Sequence, residues 1–115
     1  MRRPRGSSTS TSSMDRVTQL RKFIEAQPQE PFPRYALALE LKAQADNEGA
    51  AAELHALLQK APDYLAAYLQ LGMVLQTLGR AADARDAFQR GQDLARRKGD
   101  GHTLSELTSA LETLG

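Results

Sequence analysis

Cysteine is absent from the 115-residue chain. Its absence excludes disulfides, thiol nucleophiles and thiolate metal sites, and it suits a reducing compartment such as the cytoplasm, where we expect the protein. Tryptophan is missing too, and three Phe with three Tyr make aromatic stacking on nucleic-acid bases a poor expectation. No apolar run reaches the roughly 20 residues that a bilayer-spanning helix needs, so no membrane role is expected. His55 and His102 are the only histidines. Neither has a carboxylate or second histidine at a convincing metal or acid–base spacing, His55 reading as an exposed helix residue and His102 as preceding the last helix. No phosphate loop, nucleophile elbow or dinucleotide glycine pattern occurs, and Gly99, Asp100 and Gly101 read as a linker. We therefore expect no enzyme, no cofactor and no metal.

An excess of one charge is also lacking where it would matter. The formal charge of +1 includes Arg2, Arg3 and Arg5; residues 14–115 carry 12 basic against 14 acidic side chains. A folded part with that balance has no field to attract nucleic acid or an anionic membrane. The leading MRRPRGSSTSTSS has almost no apolar side chain with which to offset its ordering entropy, so residues 1–13 are expected to be disordered. It has no apolar stretch of the kind a secretory signal contains. It reads as a start extension ahead of Met14, an inert tail, or a basic contact arm.

What the sequence does contain is one segment, Tyr64 to Gly79 (YLAAYLQLGMVLQTLG), with no charge at all in a chain that is 25% charged. It is too short for a bilayer, so it reads as a helix with neighbours on more than one side. A shift of 34 residues superposes Leu37 on Leu71, Leu41 on Leu75, Ala50 on Ala84 and Pro28 on Pro62, and Leu20, Leu54 and Phe88 fall at equal steps. Each unit reads as two helices and a turn. The first unit runs from about Phe32 to Ala45, turns through Asp46 and Asn47, either of which can cap the next helix, and continues to Lys60. The second runs from Leu65 to Leu78, turns at Gly79 and Arg80, and resumes from Ala81 to about Arg97. Arg96, Arg97 and Lys98 close it where cations favour a helix dipole.

The flanks supply two further helices. Val17, Leu20, Phe23 and Ile24 form an apolar stripe on a helix from about Asp15 to Gln27. The run Thr103 to Glu106 reads as a capping box, followed by the stripe Leu104, Leu107, Leu111 and Leu114. Ser105, Glu106, Thr108, Ser109, Glu112 and Thr113 occupy its other faces. Both end helices read as amphipathic lids whose polar outer faces argue against open-ended stacking.

Helix pairs of 34 residues mark a tetratricopeptide solenoid, and the chain resembles the tetratricopeptide repeat (TPR) family position by position. Tyr68, Leu71, Gly72, Leu75, Gly79, Ala84 and Phe88 stand where the family pattern has its leading aromatic, Leu-Gly pair, large residue, turn glycine, small alanine and large aromatic. Leu37, Ala38, Leu41, Ala50, Leu54 and Pro62 occupy the equivalent sites of the first unit. Arg34 at the leading aromatic site, Ala45 at the turn glycine and Gly91 at a usual alanine depart from it. The resemblance implies an all-α TPR superhelix of about six helices in one domain: a capping helix over residues 14–30, repeats over 31–64 and 65–98, and a capping helix over 99–115.

On a helical projection of the second unit, Tyr68, Leu71, Gly72, Leu75 and Leu78 form one stripe towards the partner helix of the same repeat, while Ala67 and Val74 face a neighbouring repeat. Ala66, Leu69, Met73, Gln76 and Thr77 are left over. In TPR proteins the first helix of each repeat lines the concave surface, so the resemblance implies that these residues do so, with Phe32, Tyr35, Leu39, Lys42 and Ala43 as their first-repeat equivalents. The expected site is an apolar groove of Phe32, Tyr35, Leu39, Leu69 and Met73 rimmed by Lys42 and Gln76, holding a peptide or helix of a protein partner. The alternatives are that these residues are covered by the terminal helices, or that a second copy of the chain occupies the groove in a homodimer. Tyr35 and Leu39 stand where the carboxylate-clamp variety of TPR begins its Lys and Asn pattern, so an acidic chaperone C-terminus is not the expected ligand.

Overall fold

A computed structural model describes residues 13–114. They form six α-helices and, among the described residues, no strand: α1 (Ser13–Ala26), α2 (Pro31–Ala43), α3 (Asn47–Lys60), α4 (Leu65–Thr77), α5 (Ala81–Lys98) and α6 (Gly101–Leu114). The leading stretch lies outside the described residues except for Ser13, with which α1 already begins. Among the described residues no helix is long and apolar enough to cross a membrane.

The helix ends follow from local chemistry. Pro31 opens α2, where a missing N–H costs nothing. The Asp46 carboxylate accepts from the Gly49 N–H at 2.9 Å, so Asp46 rather than Asn47 caps α3. After α2, α4 and α5 the chain turns in the same way, through a left-handed residue at Ala45, Gly79 and Gly99. The N–H groups of Asp46, Arg80 and Asp100 then donate back to the carbonyls of Leu41, Leu75 and Ala95, which satisfies carbonyls that the helix ends leave free.

Two expectations fail at the last turn. Gly99 to Gly101 is no linker: Gly99 terminates α5, Asp100 caps α6 and Gly101 is already helical. Nor is Thr103 the cap. The Asp100 carboxylate accepts from the Thr103 N–H at 3.0 Å and from its hydroxyl at 2.8 Å. Asp100 takes the role because its side chain reaches the third residue of the helix, the same geometry Asp46 uses. Glu106 is then free to approach His102.

Each helix packs on the next, and α4 also touches α6. Short connections make neighbours antiparallel, so the helices sort into two layers. Lys42 of α2 bonds Gln70 of α4 at 2.9 Å, placing α2, α4 and α6 in one layer. Arg21 of α1 reaches Glu53 of α3, and Glu48 of α3 meets Arg80 at the start of α5, which makes α1, α3 and α5 the other.

Between the layers lies one core, including Leu37 and Leu41 of α2, Leu54 and Leu57 of α3, Leu71, Val74 and Leu75 of α4, and Phe88 of α5. Burial of each large side chain contributes roughly 1.5–3 kcal/mol. Phe88 lies where a Gly72 Cβ would otherwise sit, so the Leu-Gly pair of α4 is a notch for that ring. Of α6 only Leu107 is fully buried among the apolar residues, and none of the side chains described from Asp15 to Ala26 of α1 is. Phe23 departs from its expected place in the α1 stripe. It is 51% exposed, because α2 is the one described helix that packs closely on α1 and it covers only Val17, Leu20 and Ile24.

Candidate functional site

Leu69, Met73 and Gln76 follow one another at intervals of four and three residues, so they share a face of α4. This face points away from α5, whose contacts take Leu71, Gly72 and Leu75. Met73 is 37% exposed; Leu69 and Gln76 are half-buried. Facing them is a row from α6, set in place by the Asp100 cap: His102, Ser105, Glu106, Ser109, Ala110 and Thr113. Together the two rows enclose a recess of about 440 Å³. Its floor is Leu69, Met73 and Ala110. Its α6 wall is serine and threonine hydroxyls with one imidazole and one carboxylate, His102 Nε2 lying 3.8 Å from the Glu106 carboxylate.

The α6 contribution was missed in the sequence because its polar residues read as the outer face of a lid. The signal that finds it is a step of 36, which superposes Tyr68, Leu71, Leu75 and Leu78 on Leu104, Leu107, Leu111 and Leu114. The same step carries Leu69 and Met73 onto Ser105 and Ser109. Hence α6 repeats the orientation of α4 and turns its polar row to the same side.

The remaining expected groove residues lie apart from this recess. Tyr35 packs against Tyr64 with ring centroids 5.2 Å apart at 44°. Burial, and then the neighbouring Tyr64, raise the Tyr35 phenol above its ordinary value against a lowering bond to Gln70; burial raises Tyr64 as well. Both phenols therefore stay neutral at physiological pH. Lys42 is not a free rim cation, since its ammonium donates to Gln70 Oε1. Leu39 is half-buried, and Phe32 stands 63% exposed in the first turn of α2. Of the flanking positions Ala43, Ala66 and Thr77 are exposed, and the Thr77 hydroxyl donates to the Met73 carbonyl at 3.1 Å.

The opposite layer carries a second recess, of about 470 Å³, where Leu58, Leu71, Leu75 and Ala87 form the floor and His55, Asp83, Asp86 and Arg90 are among the lining residues. His55 is exposed, as expected, and Asp86 is paired with Arg90 at 2.9 Å. Among the described residues no buried side chain is polar or charged, and no group of three or more His, Asp or Glu is placed to hold a metal ion.

This arrangement of helices matches solved structures. A tetratricopeptide repeat domain protein from Salinibacter ruber is 36% identical, with 76% of this chain and 89% of that one covered at a TM-score of 0.71. The chain belongs to the tetratricopeptide repeat family. A TPR-like arrangement also recurs in a Bordetella parapertussis protein, 28% identical with 85% of each chain covered and a TM-score of 0.75. The TPR2B domain of yeast Sti1, in complex with pHsp70, has a TM-score of 0.84 over 92% of this chain and 85% of its own, at 15% identity. At that identity the likeness is one of fold. No protein-family model and no curated protein matches the sequence.

The departures from the TPR pattern each have a local counterpart in the structure. Arg34, in place of the leading aromatic, is largely covered and pairs with Glu53 at 3.2 Å, with Arg21 on the same carboxylate group. Its second-repeat equivalent Tyr68 instead donates its hydroxyl to the Pro62 carbonyl at 2.8 Å. Gly91 replaces alanine because α6 comes close: a Cβ there would lie 3.0 Å from both Tyr68 Cβ and Leu107 Cδ2. Ala45 adopts the left-handed conformation that glycine holds at the equivalent Gly79, with φ of 65°.

Proposed function

We propose that this TPR protein is a non-enzymatic interaction module that captures a short peptide or helix of a protein partner between α4 and α6. The observation that carries this reading is the recess itself, where exposed Met73 and half-buried Leu69 lie beside a wall of serine and threonine hydroxyls. An apolar side chain of the partner would seat on Leu69, Met73 and Ala110, and Met adapts to varied shapes. Gln76, Ser105 and Ser109 would satisfy the polar groups beside it, which otherwise cost free energy when water leaves. The exposed Phe32 and the Tyr35–Tyr64 pair would extend the contact along α2. The Sti1 domain in complex with pHsp70 supports the reading as an occupied example of the same fold. We read residues 31–64 and 65–98 as the two repeats of the module, with the flanking helices as its ends.

The test begins with the proteins retained on an immobilised wild-type chain, followed by calorimetric titration of the identified segment. Met73→Glu and Ser109→Arg place bulk and charge in the recess without touching the buried core. Each should weaken binding at least about tenfold, or 1.4 kcal/mol, with an unchanged melting temperature. Unaltered affinity in both folded variants would rule the recess out. A protein that dimerises alone, and that Met73→Glu makes monomeric, would put a second copy in the groove instead.

A further inference from the structure

The seam between α2 and α4 shows how this fold places a cation. Cβ bonds point towards a helix N-terminus, so Lys42, near the end of α2, reaches back across the seam, where its ammonium donates to Gln70 Oε1 at 2.9 Å. The seam between α4 and α6 repeats these positions. The 34-residue step carries Lys42 to Gln76, and the 36-residue step carries Gln70 to Glu106. Gln76 and Glu106 both line the recess. The acceptor has thus become a carboxylate, while the donor has become a neutral amide.

The two helices that form this seam do not supply the missing ammonium. Neither α4 nor α6 contains Lys or Arg. Among the described residues the ion partner of Glu106 is His102, whose Nε2 lies 3.8 Å away. That is too far for a hydrogen bond, and an exposed pair of this length contributes little. The Glu106 side chain keeps 48% of its surface exposed. Lys42 stands on α2, beyond α4 from the recess, and its ammonium is engaged by Gln70.

We propose that the segment held in the recess carries a lysine or arginine whose cation pairs with Glu106, beside the apolar side chain seated on Leu69, Met73 and Ala110. The assignment rests on the recess being the partner site and adds the charge of what it takes. Glu106 and Ala110 are one turn apart on α6, about 6 Å along its axis. Residues two apart in an extended chain span about 6.7 Å, and residues four apart in a helix span about 6 Å. The cation therefore stands two to four residues from the apolar anchor. An acidic segment is disfavoured by the same carboxylate, which would meet a like charge with no Lys or Arg beside it.

Random dodecapeptides displayed on phage are selected on the full-length protein at low salt, and the enriched sequences are made as synthetic peptides for fluorescence anisotropy. They are expected to share a large apolar residue with Lys or Arg two to four positions away. Replacing that cation by Gln should weaken binding at least about threefold, and by Glu at least about tenfold. Glu106→Lys should reverse the order and prefer the Glu peptide. Gln76→Lys, which restores the donor found at Lys42, should bind the Lys and Gln peptides alike. Glu106→Gln should keep the apolar contact and lose most of the salt dependence. Met73→Glu and Ser109→Arg add opposite charges, so loss of binding in both marks the recess as the site. Peptides that both variants weaken but that show no cation preference, or a preference that Glu106→Lys leaves in place, would overturn the proposal and leave the recess as the partner site. Peptides that bind both recess variants undiminished, or a selection that enriches none, would overturn site and proposal together; thermal melts confirm that the variants fold.

Discussion

Glycine and alanine carry much of the specificity of this fold. Adding a Cβ at Gly72 would drive it into the Phe88 ring, and that ring is fully buried and has no space to yield. We expect Gly72→Ala to destabilise by about 1–3 kcal/mol through overpacking, although alanine favours a helix interior by about 1 kcal/mol. Adding Phe88→Leu should recover most of the loss, because the first repeat already holds this fold with Ala38 and Leu54 at the equivalent sites. Chemical denaturation of the single and double variants checks both statements; a double variant no more stable than the single would mean that the notch is not the cause. Ala45 presents the opposite case. A left-handed alanine costs roughly 1–2 kcal/mol, and glycine would relieve it at about 0.4–1 kcal/mol of added unfolded-state entropy. Ala45→Gly is therefore expected to raise the denaturation midpoint by the equivalent of about 0.5–1 kcal/mol, and a lower midpoint would show that the turn is not strained.

At the level of helices, α6 depends on its cap more than the inner helices do, since it buries a single large apolar side chain. The two bonds from Thr103, first its N–H and then its hydroxyl, hold the Asp100 carboxyl below the ordinary carboxylate range. A depressed folded value means that the cap contributes fully above the unfolded pKa, near about 4. The contribution is lost as pH falls through the lower, folded value. Amides of the first turn of α6 should accordingly exchange faster in acid, and Asp100→Ala should show the fast exchange at neutral pH with little further acid dependence. Equal acid loosening in Asp100→Ala would assign the effect to another group. All six helices were legible from periodicity, with bounds shifted by only a few residues, because the 34-residue step repeats core-facing positions that the packing also repeats. That Leu69, Met73 and Gln76 share one face of α4 outside the core was legible for the same reason. The α6 wall was not, since α5 extends a turn beyond α3 and moves the step to 36. Asp100 was hidden by a neighbouring sequence that also satisfies a capping-box pattern, and Phe23 by an apolar stripe that no second neighbour covers.

Across the whole molecule, contacts run almost entirely between neighbouring helices, so stability is distributed along the stack. Among the described side chains, large buried ones concentrate in α2 to α5, and they thin to one in α6 and none in α1. Leu71→Ala in the centre should cost about 2–5 kcal/mol and destabilise every helix, whereas Leu107→Ala should release mainly α6 and with it the wall of the recess. Hydrogen exchange in dilute protein should rank α3 and α4 as most protected and α1 as least. Equal protection in all six helices would mean instead that the chain opens only as a whole.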